Sequence, residues 1–199
     1  MAQWTYRNAF VCAAKVSKGL KSFNPRIPRE IETIVDYFKD YLAPLRGNIA
    51  IRFHPRAYEA KIFYGTIEDF GSMVEIYYDI NRNHCWKRFV CAKELCHLLY
   101  NDGDKLHCSA SVEEIDSLMS QILAGVVADQ AATSEQATIL MAIEVLLPHF
   151  ERASAIKLLS KGGVAAVAQH YRLPVQMVGA YFNHSYIALA QQAVKDLEG

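Results

Sequence analysis

The sequence predicts an α+β fold, in which helices surround a small sheet. The first observation behind this prediction is the helical spacing of apolar residues over 4–20 and 31–42. The second is a set of short segments rich in Ile, Val, Tyr and Phe, at 48–55, 60–67 and 73–80, which predict about three mostly antiparallel strands. The third is the return of helical spacing after residue 86, which makes the rest of the chain helical.

Proline and glycine residues are expected to mark where several helices and strands begin or end. Pro28 suits the first turn of the helix at 31–42, and Pro44 and Gly47 are expected to end that helix. Gly65 is among the turn residues expected to separate the strands. A helix is predicted at 86–100, and the later segments follow at 112–130, 134–147, 151–160, 163–171, 174–183 and 185–197.

Composition limits the classes of partner. Apolar residues make up 52% of the 199 residues and charged residues 21%, which is ordinary for a soluble globular protein. The formal net charge is zero, so electrostatics give no reason to expect nucleic acid or a membrane surface as the main partner. Five cysteines without a CxxC pair indicate free thiols in a reducing compartment. We therefore expect a cytoplasmic protein.

The helix predicted at 86–100 contains Lys93, Glu94 and His97 in the sequence Lys-Glu-Leu-Cys-His. Residues four apart on a helix project from the same side. Zinc peptidases use this spacing in H-E-x-x-H, where the two histidines bind zinc and the glutamate acts as general base on the zinc-bound water. A lysine occupies the first ligand position here. The motif alone is therefore compatible with an altered metal site or with an ordinary core helix.

The order of the segments resembles that of the ImmA/IrrE-type metallo-endopeptidases. In that family a strand precedes a helix with Arg-Phe-x-x-Ala-His-Glu-Leu-Gly-His-Leu-Leu, and a later helix with a ligand glutamate runs into Phe-Ala-x-Glu-Leu-Leu-x-Pro. The residues that match the first block are Arg88, Phe89, Ala92, Glu94, Leu95, His97, Leu98 and Leu99. The residues that match the second are Ala142, Glu144, Leu146, Leu147 and Pro148. The resemblance covers roughly residues 48 to 183.

This resemblance implies N-terminal helices (1–45), a zincin-like peptidase core (46–150) and a helical region packed on the core (151–199). It also implies that His97 and Glu135 are zinc ligands and that Glu94 is the general base. Family members often cleave or bind a transcriptional repressor, frequently in phages and other mobile elements or in stress responses.

The departures from the family pattern affect the metal site directly. The ammonium of Lys93 has no lone pair for zinc at neutral pH, and a catalytic zinc site normally has three protein ligands. Cys96 replaces a glycine and lies about 100° around the helix from His97, so it points elsewhere. Other donors whose position the sequence does not fix are His84, His107 and Cys108. The histidines assigned to structural or surface positions are His54, His149, His170 and His184.

Two functions remain open. In the first, Lys93 extends into the space of the zinc ion and pairs with Glu94 or Glu135. The protein then needs no cofactor and regulates by binding a protein partner, such as a transcriptional repressor. In the second, it is an active endopeptidase with an altered zinc site built on His97, Glu135 and a further donor. A third, structural interpretation has Lys93 reaching solvent beside two ordinary surface acids.

The segment "VAAVAQHYRLPVQMVGAYF" has the spacing of a helix-turn-helix, with a turn near Arg172. A DNA-reading second helix needs basic or amide side chains. This one has Gln176 and no Lys or Arg. We interpret the spacing as core packing, in which Ala168 and Val178 are buried, and we expect no direct contact with nucleic acid.

Overall fold

A computed structural model describes residues 5–58, 65–99, 106–108 and 133–198. These residues form seven α-helices: α1 Tyr6–Phe23, α2 Ile31–Arg46, α3 His84–His97, α4 Ser134–Leu146, α5 Arg152–Tyr171, α6 Val175–Tyr181 and α7 His184–Glu198. They also form four strands: β1 Ala50–Arg56, β2 Gly65–Asp69, β3 Met73–Asp79 and β4 Leu106–Cys108. The mixed α+β class is confirmed, whereas the helix predicted at 112–130 lies outside the described residues.

The sheet has the strand order β1-β3-β2-β4. β2 is antiparallel to both β3 and β4, as the sequence predicted for most of the sheet. A tight turn joins β2 to β3, in which Gly71 has a φ of +84° and its N–H donates to Asp69 Oδ1 at 2.9 Å. β1 pairs with β3 in parallel, a neighbour that the sequence pattern did not indicate.

Helix α1 supplies a buried face of small residues. Its N-cap is Thr5, whose hydroxyl accepts a hydrogen bond from the N–H of Asn8 at 3.2 Å. Ala9, Ala13 and Ala14 are fully buried, and α1 packs against α4 and α7. Alanine brings two helix backbones close together, so α4 can lie in the centre of the molecule.

Two expectations for helix α2 are wrong. The helix begins at Ile31, after an extended Glu30, so Pro28 precedes it instead of occupying its first turn. Pro44 lies inside the last turn and does not end the helix, whereas Gly47, with a φ of +72°, follows the last helical residue Arg46 and ends the helix as predicted. The start is late because Glu30 is extended, and the preceding Arg29 is buried in the core.

Two buried arginines connect elements that are distant in sequence. Arg29, which is 1% exposed, donates to the carbonyl oxygens of Ser17 in α1 and Val145 in α4. Arg88 of α3 donates through Nε to the carbonyl of Arg29 at 3.0 Å, and through Nη1 to that of Tyr171 at 2.8 Å. Burial lowers the pKa of both side chains to about 10, so both remain charged at neutral pH.

The C-terminal helices confirm two sequence predictions. Gly162 and Gly163 leave helical geometry and divide α5 where two separate segments were predicted. Arg172 adopts a left-handed conformation after α5, where the turn was predicted, and Ala168 and Val178 are buried as expected. None of the described helices is both long enough and apolar enough to span a membrane.

We expect the substitution Arg88→Lys to lower the free energy of unfolding by about 2 kcal/mol, because an ammonium keeps the charge but cannot reach all the carbonyls that the guanidinium binds. Urea denaturation measures this difference. Arg52→Lys, at an exposed position in β1, is the matched control and should change stability little. Equal stability of the two variants would contradict this role of Arg88.

Candidate functional site

Helix α3 directs one of its faces at α4 and at the sheet. The side chain of Asn83 caps its first turn by accepting from the N–H of Trp86 at 3.1 Å. The helix packs against α4, β2 and β3, and its second half is buried on every side. Cys96 is fully buried in the core and takes no part in the polar cluster described below. Burial raises the pKa of its thiol well above the usual range, which leaves it unreactive.

Helix α4 begins at a capping box next to α3. The hydroxyl of Thr133 accepts from the N–H of Gln136 at 3.2 Å, and the side chain of Gln136 accepts from the N–H of Thr133 at 3.0 Å. Ser134, Glu135 and Thr138 follow in the first turns. The cap fixes the backbone at this end of the helix, so the side chain of Glu135 projects from a fixed position beside α3.

The ammonium of Lys93 lies between two carboxylates. Its Nζ is 2.9 Å from Oε1 of Glu94 and 2.8 Å from Oε2 of Glu135. Lys93 is 2% exposed and Glu94 is fully buried. The interpretation in which Lys93 reaches solvent beside two surface acids is therefore wrong. The pairing expected from charge is present, and it involves both acids at once.

His97 completes the cluster from the next turn of α3. Its Nε2 is 3.0 Å from Oε1 of Glu135 and 3.7 Å from Oε2 of Glu94. Its Nδ1 is 3.1 Å from the hydroxyl of Ser134, and Nε2 is 3.4 Å from that of Thr138. Both ring nitrogens therefore face α4. The sequence analysis did not identify Ser134 and Thr138, although their i, i+4 spacing places them on one face of that helix.

The charges of this cluster stabilise one another. Burial alone would lower the pKa of Lys93, but the two carboxylates outweigh it and the pKa is raised. Burial alone would raise the pKa of Glu135, yet the hydrogen bond with His97 and the charge of Lys93 lower it to about 2. At neutral pH the lysine is therefore a cation and Glu135 an anion.

Gly65 brings the sheet close to the cluster. A Cβ atom at this position would lie 2.5 Å from Cγ1 of Val90 and 2.6 Å from the carbonyl oxygen of Tyr77, closer than real Cβ atoms approach. It would also lie 3.5 Å from Oε1 of Glu94. The expectation that Gly65 is a turn residue is wrong: it is the first residue of β2, where a side chain would push the strand away from α3.

The donors in the described part of the chain do not by themselves form a zinc site. His84 begins α3, about 20 Å along the helix axis from His97. His107 and Cys108 lie in β4, where their backbones pair with Ile67 and Thr66. Among the described residues, no group of three or more His, Cys, Asp or Glu side chains is arranged to hold a metal. In the described structure, Glu94 and Glu135 share the ammonium of Lys93.

Fold and site together define an α+β protein with a buried Lys–Glu–His–Glu cluster between two helices and a sheet. No model of a known protein family and no curated protein sequence matches the chain.

The substitution Glu135→Gln should lower the free energy of unfolding at pH 7 by about 3 kcal/mol, because it leaves a buried charge network without one anion. The folded-state pKa of Glu135, about 2, lies below the ordinary value of 4.5. The contribution of the ionised Glu135 to the free energy of unfolding is therefore complete above pH 4.5 and is lost as the pH falls towards 2. We expect the two stability curves, measured by urea denaturation, to converge over that range.

Glu32→Gln, an exposed acid on α2, is the control for removal of one negative charge. It should follow the wild-type curve. A constant difference between wild type and Glu135→Gln from pH 7 to pH 2 would show that Glu135 contributes by packing alone.

Proposed function

We propose that this protein is an ImmA/IrrE-like protein in which a lysine has replaced the metal ion, and that it regulates by binding a protein partner such as a transcriptional repressor. The observation that carries the proposal is the position of the Lys93 ammonium, within 2.9 Å of both Glu94 and Glu135. These are the residues that the family resemblance assigns to the general base and to a zinc ligand.

The state of Glu94 supports a role without catalysis. A general base in a zinc peptidase takes a proton from water that the metal has activated. Glu94 is fully buried and its carboxylate is bound by a fixed ammonium. An ammonium offers no coordination position to a water molecule, so the chemistry that the motif serves in active enzymes has no starting point here.

The second candidate function is a metal-dependent endopeptidase with an altered site. The observation that favours it is the contact of Glu94, His97 and Glu135 within one cluster. Such an enzyme requires Lys93 to leave the cluster and a further donor to enter it. The metal content of the protein separates the two functions.

The substitution Lys93→His should create zinc affinity, because it restores a second imidazole one helical turn from His97. Inductively coupled plasma mass spectrometry of protein purified without chelators measures bound zinc, and a zinc-dependent rise in melting temperature confirms its site. Lys18→His, at an exposed position of α1 with no His, Cys, Asp or Glu one turn away, is the control and should gain none. Near-stoichiometric zinc in the wild type would overturn the proposal, and so would a Lys93→His variant that folds but gains no zinc.

Binding without cleavage is tested with purified candidate repressors. We expect one of them to co-elute with the protein in size-exclusion chromatography and to keep its full mass over several hours. A chelator in the buffer should not weaken this complex. A shortened repressor would favour the endopeptidase, and a complex that dissociates in the chelator would show that binding needs a metal.

A further inference from the structure

The first helix and the segment after it carry positive charge that acids elsewhere in the chain balance. The formal net charge of the whole chain is zero, yet residues 5–29 contain no Asp or Glu and six cations: Arg7, Lys15, Lys18, Lys21, Arg26 and Arg29. Two of these cations serve the fold, since Arg29 is buried and Arg7 binds both oxygens of Asp196 at 2.7 Å. The other four are exposed, and none of them forms an ion pair with a described residue.

Two of the exposed cations lie beside a groove on α1. The groove has a volume of about 330 Å³, and its lining consists of Lys15, Lys18, Gly19, Ser22 and Leu197. Lys15, Lys18 and Ser22 are spaced three and four residues apart, so they share one side of the helix. Leu197 is contributed by α7, and the described lining contains no carboxylate. We call this feature the basic groove.

A row of aromatic rings adjoins the basic groove at Gly19. A Cβ atom at this position would lie 1.9 Å from the hydroxyl oxygen of Tyr37, so the bare backbone lets that side chain lie against α1. The ring of Tyr37 contacts those of Phe23 and Tyr41, with centroid distances of 5.9 and 5.8 Å. Phe23 is 48% exposed and Tyr41 is 39% exposed. Unpaired cations and exposed rings therefore lie side by side on α1 and α2.

We propose that this surface binds a segment of a protein partner in which acidic residues alternate with apolar ones. The acidic side chains pair with the ammonium groups of Lys15 and Lys18, which lie about 4.5 Å apart along the helix axis. An apolar side chain packs against the exposed rings of Phe23 and Tyr41. The inference rests on the partner-binding part of the proposed function and names the surface that the partner contacts.

The acids of α2 favour a peptide over a nucleic acid or a membrane. Asp36 and Asp40 are exposed and directly precede Tyr37 and Tyr41 in sequence. Asp36 is paired with Lys39 at 3.6 Å, whereas Asp40 forms no ion pair with a described residue. The continuous charge of a phosphate backbone or of an anionic bilayer would be repelled by this carboxylate beside the aromatic row. A peptide can direct its acids to the lysines and its apolar side chains to the rings.

Fluorescence anisotropy with a short labelled peptide of alternating glutamate and leucine tests the inference. Wild-type protein should bind this peptide saturably at one site, and added salt should weaken the binding because the contacts join exposed charges. Lys15→Glu/Lys18→Glu should weaken the binding about tenfold. Lys157→Glu/Lys161→Glu, at two exposed positions of α5, makes the same change in net charge and should bind as wild type does.

The apolar part of the contact has its own variant. Phe23→Ala should weaken peptide binding several-fold, because it removes exposed ring surface that the leucine side chains bury. Phe70→Ala, at a position that is 58% exposed in the turn between β2 and β3, is the control and should not change the affinity. A peptide with glutamine in place of glutamate tests the charge contacts on the wild-type protein itself, and it should bind about tenfold more weakly.

The inference is overturned if the glutamate peptide does not saturate the wild type at millimolar concentration, or if the glutamine peptide binds equally well. Equal affinities of the two charge-reversed double variants would also overturn it. Displacement of the peptide by single-stranded DNA or by phosphatidylserine vesicles at lower concentrations would overturn it in favour of those partners. A repressor that co-elutes equally with the wild type and with Lys15→Glu/Lys18→Glu would overturn this inference and leave the proposed function intact.

Discussion

The ammonium of Lys93 joins helices α3 and α4 at a point where the lysine side chain is only 2% exposed. A charge in such a place is costly unless other charges and hydrogen bonds compensate it. Glu94 compensates it from the same helix and Glu135 from the facing helix. The removal of any one partner leaves the others buried and unbalanced, so these side chains function as a unit. The capping box of α4 and the bare backbone of Gly65 hold the surrounding elements at the distance that this unit requires.

A lysine and a metal ion would bring different properties to a position between two carboxylates. A bound metal exchanges with solution, and its occupancy depends on supply and on pH. A lysine is covalently part of the chain, so its charge is present as soon as the protein folds. Its three donors are directed at carboxylates, and it has no open coordination position. The ammonium therefore connects the two carboxylates of α3 and α4 through hydrogen bonds alone.

The predictable part of the site rests on helix periodicity. Spacing of four residues placed Lys93 and His97 on one face, and the structure confirms this arrangement. Glu135 was assigned from the family resemblance, since nothing in a single sequence shows which distant segments meet.

Other features could not be predicted. Gly65 was misinterpreted because the sequence alone does not distinguish a glycine in a turn from a glycine at a close contact between strand and helix. The structural tie between Arg29 and Arg88 could not be foreseen, because their acceptors are backbone carbonyls, which every residue has. The contact between Oε1 of Glu144 and Nδ1 of His149, at 2.7 Å, was missed for another reason: their spacing of five residues spans Pro148 and matches no regular period.

The close approach of Glu94 and Glu135 also limits how this sequence can change. The genetic code separates lysine from histidine by more than one nucleotide, and the single-step intermediates encode glutamine or asparagine. Either neutral residue would leave the two acids facing each other without a cation, at a cost comparable to that of a broken buried ion pair, about 3 kcal/mol or more. Histidine at position 93 is therefore separated from this lysine by unstable intermediates, which makes an exchange between the two residues improbable one nucleotide at a time.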